Sequence, residues 1–330
     1  MPRKFKPYAR KLHSSKLVNL YQPVNRLLPQ APLLESRGDK PLKMTFEDQL
    51  KALIFFHLEE HTSGSHLVKV LQEDDFARQH IAPEDGIKKS TFFEAINERG
   101  LEQLEFLFEK LCVEAAGILP GQYGELGDLV AIDGTLIDAV LSMAWADYRK
   151  NSKKAKLHVG FDLNHAIPAK IFLTDGKGAD SKVFYDAEVL LGTPYVNQSK
   201  KPLRLVGYRV AGVEYWIATD RRDLSAEQIA MAYKLRWENE KFFAWWKRHL
   251  HVYHLIARSR YGLMVQILSG LITYLLLAIY CHNEYEEPVS INRVRELRIQ
   301  IQNELREQGG TPDQYFFKEQ LWPYRPYAKT

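Results

Sequence analysis

Four side chains in the stretch YKLRWENEKFFAWWK stand at i, i+3, i+7 and i+14: Tyr233, Arg236, Glu240 and Lys247. On an α-helix, at ~100° per residue, they fall within an arc of ~60° and spread over ~21 Å. One carboxylate is thus flanked by two cations and a phenol, a grouping suited to a divalent cation beside a line of phosphates. The bland alternative is a solvated face whose Arg236/Glu240 pair contributes only a few tenths of a kcal/mol. Leu235, Phe242 and Trp246 lie on the opposite side, where they can seat the helix in a core. A second carboxylate, Asp133, sits in AIDGT at the end of an apolar run, followed by Gly134 and Thr135. A sheet would hold that acid rigidly; an ordinary Asp-Gly hairpin turn is the competing reading.

The elements that must carry these groups are legible as patterns. Ser225, with Gln228 three residues on, forms a capping-box signature that opens a long helix through His249. Upstream, LVAIDGTLI, KLHVGFDLN and IPAKIFLTD are short β-branched runs divided by turns, which predicts a three-stranded antiparallel meander with Asp133 on its first strand. VFYDAEVLL, LRLVGYRV and VEYWIATD are further strand candidates. Before residue 120 the period is helical. A cap-like start at Thr45 to Asp48 precedes a helix with Phe46, Leu50, Leu53, Ile54 and Leu58 on one face, and helices follow at 67–72, 89–97 and 101–116. The change of period sets a domain boundary near residue 120. The organisation expected is an extended basic arm over 1–44, a helical region over 45–120, a mixed core over 121–283 and a helical, then irregular, tail over 284–330.

With 45% apolar and 26% charged residues in 330, the chain can bury a large core, which excludes disorder and fibrous folds. Two cysteines, Cys112 and Cys281, cannot build a disulfide framework, and the N-terminal MPRKFKPYARKLHSSK has no apolar segment of the secretory kind; both point to reducing cytosol. A net charge of +4 means that any basic surface is local. Residues 262–281 are long and apolar enough to cross a bilayer, but Gln266, Ser269 and Thr273 recur on one side, so a buried core helix and no membrane is expected.

Together the AIDGT strand, KLHVGFDLN, LTDGKGAD and above all the YKLRWENEKFFAWWK helix resemble insertion-sequence transposases of the IS4 type, from about Phe46 to the Leu275 helix. The resemblance implies an α+β fold with an RNase H-like core. It implies two divalent metals, Mg²⁺ or Mn²⁺, held by an Asp, Asp, Glu (DDE) triad that cuts transposon ends and joins them to target DNA. Asp133 is then the first acid and Glu240 the third. Tyr233, Arg236 and Lys247, which with Glu240 make the YREK signature, grip end phosphates. Double-stranded DNA is the implied partner, with a second copy of the chain in a synaptic pair, at the nucleoid in the cytoplasm.

The middle acid departs from the family pattern. LTDGKGADS runs almost directly into KVFYDAEVLLG, so a block carrying the fourth strand is missing around residues 179–184 and the sheet is expected to be incomplete. Asp175 and Asp180 are the candidate substitutes. Asp175 would lie two strands, ~10 Å, from the first strand. Basic residues Arg149, Lys150, Lys153, Lys154 and Lys156 are placed in a turn between the first two strands, able to follow a DNA backbone or simply to be solvated. Lys88 and Lys89, at the head of the second helix of a pair, are expected on phosphates as that helix enters a groove. HLEEH at 57–61 matches a zinc-peptidase pattern but lacks a third ligand, so packed or surface histidines are expected there. His249, His251 and His254 read as a helix cap or phosphate contacts.

Overall fold

The computed structural model describes residues 16–34, 42–59, 61–124, 130–139, 142–143, 145–149, 152–175, 188–190, 200–210 and 213–309. The long apolar stretch near the C-terminus organises them. Helix α8 (Arg260–Tyr285) satisfies the length and hydropathy of a membrane span, yet 89% of its most apolar window is buried inside the protein. Around it pack α1 (Lys16–Leu27), α2 (Phe46–Leu58), α5 (Lys89–Glu98) and α6 (Leu101–Ile118). Its polar stripe is buried and internally satisfied: Ser269 Oγ donates to the Gln266 carbonyl at 2.8 Å and Thr273 Oγ1 to that of Ser269 at 2.7 Å. A buried hydroxyl so paired escapes the desolvation penalty that an orphan would carry.

The local signals act as expected. Thr45 and Asp48 form a reciprocal capping box at α2, and Ser225 and Gln228 form another at α7 (Ala226–His249). Gly100 opens α6 with φ +86°, and a Cβ there would meet the Gln49 amide at 2.7 Å, so both the backbone and the space call for glycine. Two elements depart from expectation. Residues 16–27, read as part of an extended arm, are helical, because Leu20, Tyr21 and Val24 bury one face against the core, with Pro23 accommodated inside the helix. A short helix, α4 (Asp75–His80), follows α3 (Gly64–Glu73), capped by the Asp74 side chain. The tail is helical as α9 (Ile291–Gly309), seated through Val294, Leu297 and Ile301.

The first sheet is the anticipated meander. β1 (Val130–Ala139) pairs antiparallel with β3 (Ser152–Asp162), and β3 with β4 (Ile167–Asp175); a short β2 (Asp147–Arg149) folds onto the start of β3. Among the described residues β3 is the only strand paired with β1. The second sheet runs β5 (Glu188–Val189), β6 (Leu203–Val210), β7 (Val213–Thr219), all antiparallel. Of the strand candidate VFYDAEVLL, the described Glu188 and Val189 pair with Arg204 and Leu203 of β6, not with β1. The neighbouring antiparallel strand offers a partner closer in the chain than β1 does.

Helix α7 bridges the sheets. Its first turns join Val206, Ile217 and Leu224 through Ile229 and Tyr233, a small cluster of their own. Its last turns insert Leu235, Phe242, Phe243 and Trp246 into the main core, where Phe242 lies 5.0 Å from the Phe161 ring of β3. That core is continuous from Leu20 to Ile301, so the change from helix to strand near residue 120 is not accompanied by any break in the core.

Candidate nucleic-acid interface on helix α7

The four residues of the 233/236/240/247 spacing lie on one stretch of α7. The Arg236 guanidinium sits 5.5 Å from the centre of the Tyr233 ring and 3.6 Å from the Glu240 carboxylate, whose side chain is 39% exposed. Lys247 turns inward and donates from Nζ to the Leu136 carbonyl of β1 at 2.9 Å. Burial lowers its pKa, the Asp138 carboxylate acts against that, and Lys154 adds to it. Next to Glu240 and about two turns before Lys247, Asn239 is fully buried and donates from Nδ2 to the Ala131 carbonyl at 3.4 Å. The helix thus touches β1 at Ala131 and at Leu136, on either side of Asp133, whose backbone stands opposite Val159. The Asp133 side chain lies outside the described structure.

Sequence reasoning had no role for Asn239, although a signal was available: at ~240° on the helical wheel it is a polar residue on the apolar side, with Leu235 and Trp246. The exposed Trp237 ring, beside Arg236, was likewise not singled out.

The substitute acids fare differently. Ala155 of β3 pairs with Ile137 on one side and Asp175 on the other, so Asp175 stands two strands across from β1 and level with Ile137 rather than Asp133. At ~4.8 Å per strand and ~3.3 Å per residue this is ~16 Å of backbone separation, beyond the reach of a shared ion. Asp180 lies outside the described residues. Among those residues no three His, Cys, Asp or Glu side chains converge as a metal-holding group.

Among the described residues the basic run near 150 does not form an outward cation strip. Lys153, Lys154 and Lys156 belong to β3 rather than to a turn; Lys156 is 5% exposed and Lys154 pairs with Asp138 at 2.5 Å. Lys156 alone of the three pairs with β1 on one side and β4 on the other. Lys150 and the Arg149 side chain lie outside the description. Lys88 and Lys89 are exposed at the start of α5, while Phe92, Ala95 and Ile96 face the core. Lys88 borders an open groove of about 810 Å³ that also takes in Lys43, Gln72, Arg78 and Thr91, with Asp75, Glu84 and Asp85 tempering its charge.

The histidines of the HLEEH stretch are packed. His57 is buried; its Nδ1 donates to the Leu250 carbonyl at 2.6 Å and its Nε2 faces Ser269 Oγ at 3.1 Å. His61 lies against Phe55, Phe56 and His66. Burial lowers His57 to about 4, and burial with the neighbouring His66 and Arg298 lowers His61 to about 3. Both are neutral when folded and gain a proton on unfolding below their ordinary 6.5. Their stabilising contribution is therefore present above pH 6.5 and is lost as pH falls toward 4. We expect the unfolding free energy from urea titration to drop across that window, by on the order of 2 kcal/mol per histidine at its acid end, and His61→Leu to remove its share. Equal pH dependence in the variant and the parent would contradict this.

Comparison with known proteins meets the same part of the chain. The family profile described as "Transposase DDE domain" matches residues 197–276, from just before β6 into α8, and so includes all four α7 residues. A transposase named for insertion sequence element IS5377 of Geobacillus stearothermophilus is 32% identical over 120 residues, 36% of this chain and 32% of that protein. A transposase of Sinorhizobium fredii is 32% identical over 111 residues, 33% of this chain and 31% of its own. The chain thus aligns with about a third of the length of each. A transposase named for element IS4SA of Synechocystis is 21% identical over 266 positions, covering 63% of this chain and 76% of the relative. With its α7 residues inside the matched segment, the chain is similar there to a transposase DDE domain, and over parts of its length to proteins named as insertion-sequence transposases.

Proposed function

We propose that this chain is a DNA transposase of the IS4 type, with an RNase H-like core, that binds transposon terminal inverted repeats and is impaired in cutting and joining them by an internal deletion. The observation that carries the reading is the α7 face: Arg236 in contact with both Tyr233 and Glu240, and Lys247 against β1 a few residues beyond Asp133. Arg236, Lys247 and the Tyr233 hydroxyl are the groups to meet DNA phosphates. Lys88 and Lys89 supply further phosphate contacts from α5, and a second copy of the chain completes a synaptic pair at the nucleoid.

DDE domains generally use divalent metals, and Mg²⁺ or Mn²⁺ supplies Lewis-acid stabilisation of attacking and leaving oxygens. Among the described residues the donor set does not fit a pair of such ions. Glu240 and Asp133 offer two acids, and the strand that would bring a third beside β1 has no counterpart among the described residues. The Synechocystis alignment supports the deletion: it runs over 266 positions but takes up only 63% of 330 residues, so the relative carries positions with no counterpart here. This same feature favours a second reading, a non-catalytic DNA-binding remnant that competes with an intact transposase.

The test of DNA binding is a salt titration. Arg236→Ala and Lys247→Ala each weaken binding to terminal-repeat duplex and flatten log K against log salt by about one charge. Glu240→Gln leaves affinity equal or higher, since it removes a negative charge near phosphate. Unchanged affinity and slope in both cation variants would defeat the reading.

A further inference from the structure

Beyond Lys247 the chain makes a short loop, residues 250–256, that the four-residue α7 signature does not include. Lys247 opens onto a cavity of about 220 Å³ lined by Leu136, Ile137, Asp138, Val252 and Tyr253. Tyr253 stands at its rim, 46% exposed, with its ring 4.5 Å from that of His254 and 5.8 Å from that of His251. The two imidazoles are themselves stacked at 5.2 Å and 14°. An aromatic ring held in water forgoes most of the ~2 kcal/mol that burial would contribute, so what keeps it there matters.

The loop is fixed from beneath. Gln266 of α8, fully buried, donates from Nε2 to the Val252 and His254 carbonyls at 3.2 and 2.9 Å, and its Oε1 accepts from the Ile256 amide at 2.9 Å. His57 of α2 holds the Leu250 carbonyl. His251 adopts φ +51°, a conformation that residues with a Cβ seldom take. Two helices from distant parts of the chain therefore hold one surface loop in one shape, the preorganisation expected of a binding element. The nearby charge is positive on balance: Asp138 is paired with Lys154, and Lys247 remains beside them.

We propose that Tyr253, backed by His251 and His254, is a stacking platform for an unpaired base of a DNA strand whose phosphate lies on Lys247. The inference rests on the DNA-binding reading above. A cation for the phosphate next to a rigid ring for a base face is the pairing that binds single strands, and it is sequence-tolerant because every base has a π-face. Paired bases inside a duplex are covered above and below, which leaves an unpaired base as the natural occupant.

The full chain is tested with a blunt duplex of arbitrary sequence and the same duplex carrying a short single-stranded overhang with 2-aminopurine. The overhang duplex binds about tenfold more tightly and its fluorescence is quenched on binding. Tyr253→Ala abolishes the difference and the quench without changing affinity for the blunt duplex, and Tyr253→Phe keeps both. Persistent quenching in Tyr253→Ala, or an equal loss on both duplexes, overturns the platform. Lys247→Ala separates the two ideas. If it weakens both duplexes while Tyr253→Ala changes nothing, only the platform fails; if it changes neither, the phosphate reading fails and the platform with it.

Discussion

Purified protein given Mg²⁺ or Mn²⁺ and labelled terminal-repeat duplex is expected to shift the DNA in a gel and leave both strands intact. In-line displacement at phosphorus needs ions that contact the attacking and leaving oxygens at once, and a carboxylate that bridges or adjoins them. In this chain α7 meets β1, the strand of Asp133, through Asn239 and Lys247, and the meander places Asp175 two strands away and level with Ile137. Glu188 and Val189, further along the chain, pair as β5 against β6 rather than beside β1. Loss of one acid of such a set lowers turnover by on the order of 10³-fold or more, enough to bring cleavage below detection. Metal-dependent nicking at the transposon end that Asp133→Asn abolishes would reverse the conclusion and direct attention to Asp180. An intact transposase in the same reaction should be inhibited in proportion to the amount of this chain added, because both compete for the same ends.

Trp246→Ala is expected to destabilise the fold by about 3–5 kcal/mol, a large part of the ~5–15 kcal/mol that holds a domain together. Trp246 is fully buried, stacked on Phe242 at 6.0 Å and 18°. Gly270 of α8 lies so close that a Cβ there would come within 3.3 Å of the indole. Truncation leaves a cavity where α7, α8 and the 250–256 loop meet, and the rigid backbone of α8 cannot collapse into it. DNA affinity should fall as well, although Trp246 reaches no surface, because Lys247 is one residue further along the same turn. Trp237, 56% exposed on the same helix, gives the control: its alanine variant should change the unfolding free energy by less than about 0.5 kcal/mol. A loss below about 1 kcal/mol for Trp246→Ala would mean that α7 is not anchored as described.

What the amino-acid order decided on its own is what neighbours within one or two turns can decide. The Thr45/Asp48 and Ser225/Gln228 boxes start α2 and α7 at the expected residues, and α7 ends at His249, because each cap is a contact between residues three apart. Alternating β-branched runs marked β1, β3 and β4, and the spacing of Tyr233, Arg236 and Glu240 already implied that they meet on one face. Tertiary structure decided the rest, through contacts between segments far apart in sequence. Residues 16–27 become a helix because α8 offers their apolar face a partner. The Asn239 amide and the Lys247 ammonium, each open to water on an isolated helix, turn to carbonyls of a strand more than a hundred residues earlier. His57, one half of a metal-like HLEEH pattern, is instead committed to Leu250 and Ser269, because a buried imidazole takes whatever partner the packed core presents. Local periodicity carries no information about such partners, since the free energy that selects them is gained only when the distant surfaces have closed on each other.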